Sequence, residues 1–234
     1  MFELLHRVGD PGAPSSFDIL VRELGTPSIV GAVALDFANP ERSVRAILRK
    51  HKDFSIALAR NFPPFRRQVT DKIIRDVSRE NAFFALFAAL PNVMPVTELL
   101  WAPAEFATDT AFLTVNQIRM AFLLAAASDL EVGYREQKGQ VASIIASAFG
   151  WRALARELAG KIPFGAGLIP KAAIAYAGTY AVGRSLERYC RIGYGFSRAE
   201  REAAFREAFE YGKNVARSLL TRTKSETASD RAAS

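Results

Sequence analysis

Cysteine is nearly absent from this chain. Cys190 is the one thiol in 234 residues, so no internal disulfide can form. That suits a reducing compartment, with Cys190 serving as a small buried hydrophobe. Histidine is almost as scarce. His6 and His51 stand alone, so no zinc site can be read and a His-based triad has little to draw on. No G-x-x-x-x-G-K-[ST], G-x-S-x-G or H-E-x-x-H motif occurs. The stretch "GAGLIPKAAIAYAG" holds a G-x-G, but no strand leads into it and no acidic ribose partner follows, which excludes a dinucleotide fingerprint. The expectation from these absences is a non-catalytic protein with no cofactor and no metal.

The start, "MFELLHRVGDPGAPSSF", lacks a basic opening followed by a long apolar core and does not read as a secretory signal. Long apolar runs are also missing. A spanning helix needs ~20 predominantly apolar residues. The run at 82–90 meets Pro91, residues 92–128 carry four charges, and residues 162–183 hold Lys171, Pro163 and Pro170. Central charges cost ~2.5–3.5 kcal/mol on insertion. Helices packed on one another, with shallow membrane contact, are favoured over a multi-span protein.

Half of the residues are hydrophobic and 24% are charged, so the chain is globular. Phe and Ala abound and β-branched runs are scarce, which favours helices. The net charge of +7 is unevenly spread. Residues 41–80 hold eleven basic against five acidic side chains, a net +6, whereas residues 82–128 carry only Glu98, Glu105, Asp109 and Arg119. A basic block abutting an apolar one suits anionic lipid, nucleic acid or an acidic protein.

Prolines and glycines break residues 1–40 into an irregular arm, with short helices expected near "FDILVREL" and "SIVGAVALDF". Val44, Ile47, Leu48, His51, Phe54 and Leu58 recur at helical spacing as one helix until "NFPPF" stops it. After Pro63 and Pro64, Phe65, Val69, Ile73 and Val77 repeat every four residues, and Arg67, Asp71, Arg75 and Arg79 do so on another face. Arg66, Arg67, Lys72, Arg75 and Arg79 are the candidate membrane- or partner-docking residues. Asp71 can pair with Arg75, for ~0.2–0.5 kcal/mol.

A further helix spans roughly Pro103 to Ser128. Ala107, Ala111, Val115, Ile118, Phe122 and Ala125 form its expected inner stripe, and Asn116 and Gln117 read as interhelical hydrogen-bonders. Glu105 and Asp109 share a helix face. Without a third ligand they read as its wet side or as partners for Arg119, not as a cation site. "EVGYREQKG" is a polar link to a helix over about 137–159, with Val141, Ile144, Ala148, Trp151, Leu154 and Leu158 inward. Trp101 and Trp151 suit core or boundary anchors. In the second apolar block, Gly165, Gly167, Gly178 and Gly183 are candidate helix-packing positions, each costing ~1 kcal/mol in helix propensity unless close approach compensates. Ser197 and Glu200 make a capping box for the last helix, with Phe205, Phe209, Gly212, Ala216 and Leu219 inward. From Thr221 the tail is polar, non-periodic and expected to be disordered. The resulting fold class is all-α: six to eight helices, two apolar helical blocks, an irregular arm over 1–40, a helical domain over 41–220 and a tail over 221–234.

One resemblance stands beside this reading. Pro91 and Pro95 in "LPNVMP", Asn116, Gln117 and Met120 in "VNQIRMAFLLAAA", Gly150 in "ASAFGWRAL", Ile162, Pro163 and Gly165 in "KIPFGAG", and Thr179, Gly183 and Tyr189 in "AGTYAVGRSLERY" follow one another in order. Over about 82–220 the chain resembles the YcjF-type helical domain of unknown function, found in bacteria fused to or beside Era-like GTPases. Where the family tends to show Tyr-Gly, this chain has "SDLEVGY", and the GTPase domain is missing. The resemblance implies a membrane-associated helical interaction domain at the cytoplasmic face of a bacterial membrane, with a GTPase partner in trans and no nucleic acid. The alternative is a soluble cytoplasmic module that binds a lipid or small apolar ligand between its apolar helices.

Overall fold

The computed structural model describes residues 5–8, 11, 13–14, 16–87, 102–142 and 168–232, with side chains over 111–142 and 169–221 in the later segments. Trp101, Trp151, Gly165, Gly167, Glu98 and the inner positions expected between 144 and 158 therefore lie outside the described side chains, as do the side chains of Glu105 and Asp109. Among the described residues the chain is all-α apart from one small sheet, and it divides into two compact units, Met1–Val69 and Thr70–Ser234.

In the first unit the arm is not helical. "FDILVREL" and "SIVGAVALDF" instead supply two short strands, β1 (Val21–Glu23) and β2 (Val33–Leu35), paired in parallel with Val21 opposite Val33. Val33 and Leu35 share one face of β2 and pack in the same cluster, and Gly25 and Gly31 between the strands hold φ of +96° and +83°, a conformation that ends any helix locally. Helix α1 (Pro40–Lys50) follows. Asn39 accepts the Arg42 amide at 3.2 Å and Pro40 takes the first turn.

The expected single helix through Leu58 is broken. A 3₁₀ turn over Lys52–Phe54 separates α1 from α2 (Ser55–Asn61). The reason is packing. Val33, Ile47 and Leu58 share one buried cluster, and eleven residues of straight helix would carry Leu58 roughly 16 Å beyond Ile47. Arg66 donates to the carbonyls of Ala59 and Arg60, both at 3.0 Å, and so caps the C-terminal turn of α2. Helix α3 (Pro63–Phe87) starts at the expected proline pair and contributes residues to both units.

The second unit contains most of α3, then α4 (Ala102–Ala127), α5 (helical over 134–142), α6 (Leu168–Ile192) and α7 (Arg198–Ala232). The last helix continues through the stretch expected to be disordered. No glycine or proline follows Gly212, and Ala, Arg, Lys and Glu all extend a helix at little cost. α6 and α7 form an antiparallel pair, closed at one end by Arg188 to Glu200 and at the other by Ala173 against Gly212. Ser197 and Glu200 make the expected reciprocal cap: the Ser197 amide donates to Glu200 at 2.8 Å and the Glu200 amide to Ser197 Oγ at 3.3 Å. Tyr176 and Phe205 anchor the core between these helices, together with Ala172, Ala177, Ala208 and Ala216. A second cluster joins Ile74 and Val77 of α3, Met120 and Leu124 of α4, and Val182 and Leu186 of α6. Cys190 is partly buried against that cluster. Burial pushes its thiol up to about 11, against a smaller lowering by Ser128.

Two glycines permit this close approach. A Cβ on Gly183 would stand 2.9 Å from both Ile74 branches and from Met120 Sδ, so this residue brings α6 against α4 as the sequence suggests, and against α3 as well. A Cβ on Gly212 would meet the Ala173 carbonyl at 3.0 Å and Tyr176 Cβ at 3.2 Å. Gly178 is buried on α6. Gly183→Leu should overpack the three-helix contact and cost ~1–3 kcal/mol. Gly212→Ala should do the same at the α6–α7 backbone. Calorimetry should record a lower Tm for each; an unchanged Tm would mean the helices do not approach this closely. A separate expectation concerns acid. The Arg188 guanidinium, then the Ser197 amide and hydroxyl, hold the Glu200 carboxyl at about 2, down from 4.5. Its contribution to stability is present above pH 4.5 and is lost as pH falls toward 2. Glu200→Gln should lower the Tm near neutrality and flatten the acid limb, so that the two Tm–pH curves converge as the pH falls toward 2.

Candidate functional site

The orientation of α3 is set from its buried side. Asn81 and Ser78 are 0% exposed. Ser78 donates back to the Ile74 carbonyl at 2.7 Å, a local solution. Asn81 has no such local solution and reaches two other helices. Its Nδ2 donates to Thr179 Oγ1 of α6 at 2.8 Å and to the Leu113 carbonyl of α4 at 3.4 Å, and its Oδ1 accepts from Asn116 Nδ2 at 2.8 Å. Gln117 Nε2 donates to the same Thr179 hydroxyl at 3.4 Å. Asn116 and Gln117 are thus the interhelical hydrogen-bonders that their types suggest.

This network rotates α4 away from the expected phase. Asn116, Gln117, Met120, Ala121 and Leu124 face inward; of the expected inner stripe Ala125 is buried and Ile118 packs against the core, while Val115 is 62% exposed and Ala111 is exposed too. A helix apolar nearly all round has no strong phase of its own, so the amides that must be satisfied decide it.

The opposite side of α3 is consequently outward. Arg75, Arg79, Phe83 and Phe87 recur every four residues along it, with Lys72, Asp76 and Glu80 on the same arc. Lys72 pairs with Asp76, and Arg119 of α4 pairs with Glu80. Arg75 bonds Asp71 at 3.3 Å, the pairing its spacing suggests, and Asp71 also holds Arg184 of α6. Arg79 donates to the Tyr211 hydroxyl of α7 at 3.4 Å, and this bond is the first cause raising the Arg79 pKa, so the residue stays cationic. Pairs this exposed are worth ~0–1 kcal/mol and yield readily to a stronger anionic partner. Arg67 is exposed at the start of the helix, whereas Arg66 is committed to the α2 carbonyls.

Beyond the arginines lie aromatics. Phe83 is 44% exposed and Phe112 of α4 is 40% exposed. Phe83 meets Phe87 at 4.7 Å between ring centroids, and Phe84 stacks on Phe112 at 3.9 Å. Sequence reasoning missed Phe83, Phe112 and Val115. The continuation of the arginine ridge into Phe83 and Phe87 at the same spacing was the available signal.

Little else in the second unit invites chemistry. An open cleft of about 440 Å³ is lined by α5 and the end of α6, including Gln137, Tyr189 and Cys190. Its buried amide is already satisfied. Gln137 accepts from the Gly133 amide and donates to the Glu131 carbonyl, both at 2.8 Å. Among the described residues, no group of three His, Cys, Asp or Glu side chains could hold a metal ion, and no helix is long and apolar enough to cross a membrane. No family model, curated protein or solved structure matches the chain.

The buried amides generate a prediction. Asn81→Ala would take from the Asn116 amide its buried acceptor, at a cost of about 1–3 kcal/mol for a group left unsatisfied. Asn81→Leu combined with Asn116→Leu should cost less than the sum of the two single changes. Denaturant titration of the four proteins closes the cycle, and strict additivity would show that the two amides do not depend on each other.

Proposed function

We propose that this chain is a non-catalytic helical interaction domain that docks on an anionic membrane surface through the outward face of α3, at the cytoplasmic face of a bacterial membrane. The observation that carries the reading is the ridge on which Arg75 and Arg79 are followed at the same spacing by Phe83 and Phe87. Interfacial helices combine basic residues for the headgroups with aromatics for the acyl boundary in this way. The chain's net charge of +7 adds long-range attraction to an anionic surface. A GTPase acting in trans is the protein partner that the family resemblance supports. The alternative, a lipid or small apolar ligand held between the two apolar blocks, falls in part on residues outside the described ones.

Each basic residue near an anionic surface contributes ~1 kcal/mol. The variant Lys72→Gln/Arg75→Gln/Arg79→Gln should therefore bind phosphatidylserine-containing vesicles about a hundredfold more weakly, and neutral vesicles about as well as the parent. Arg66 stays in place because its loss would uncap α2. Vesicle co-sedimentation at low salt makes the comparison, with binding expected to fall as salt screens the surface. Equal binding of parent and variant to anionic vesicles would overturn the reading.

A further inference from the structure

We draw no further inference here: the strongest candidate, the open cleft of about 440 Å³ lined by α5 and the end of α6, has Glu131 and Glu136 beside Tyr189 and Cys190 in its walls, but its buried amide, Gln137, is already bonded to Gly133 and Glu131, and nothing in the structure shows what would fill it.

Discussion

A carboxamide with no access to water must find its hydrogen bonds inside the protein, and Asn81 finds them on two other helices. That requirement governs the second unit. Leaving one such group unpaired costs about 1–3 kcal/mol, a large fraction of the 5–15 kcal/mol that separates folded from unfolded domains. The rotation of α3, the rotation of α4 and the height of Thr179 on α6 are coupled through it. Apolar packing alone is less demanding, since many rotations of an apolar helix bury similar area. The buried amides distinguish among those rotations.

The surface follows from the core. With Asn116 and Gln117 turned inward, Phe112 and Val115 are left exposed on α4. The same arrangement needs α6 close to both neighbours, and Gly183, which has no Cβ, leaves room for Ile74 of α3 and Met120 of α4. Gly212 does the same between α6 and α7, where the carbonyl of Ala173 lies 3.0 Å from the position a Cβ would take. The loss of helix propensity at each glycine, ~1 kcal/mol, is offset by the packing it allows. The exposed face of α3, the polar core and the close-approach glycines are thus one arrangement seen from different sides.

Several elements were legible without coordinates because their determinants are local. Pro63 begins α3, Ser197 and Glu200 cap α7, and Asp71 with Arg75 form an i, i+4 pair. Each depends on residues within one turn of each other. Asn116 and Gln117 were legible as interhelical donors for a related reason: a polar amide in an apolar helix must be paired wherever it is buried. The strands β1 and β2 were not legible, because three residues are too few to show a period, and their pairing depends on a partner twelve residues away. The break between α1 and α2 was hidden by hydrophobic spacing that runs unchanged through it.

By itself, the sequence determined an all-α chain, the helix starts at its caps and prolines, the juxtaposition of a basic block with an apolar one, and the need for small residues in the second apolar block. Those properties reside in backbone propensity and in the order of charges, which folding does not alter. Only the tertiary structure decided which side of α4 is inside, which arginines keep an exposed guanidinium and which one braces a neighbouring helix. The reason is that an apolar helix carries no preferred azimuth. Its facing is chosen by hydrogen-bond partners on other helices, and those partners are brought together only when the chain folds.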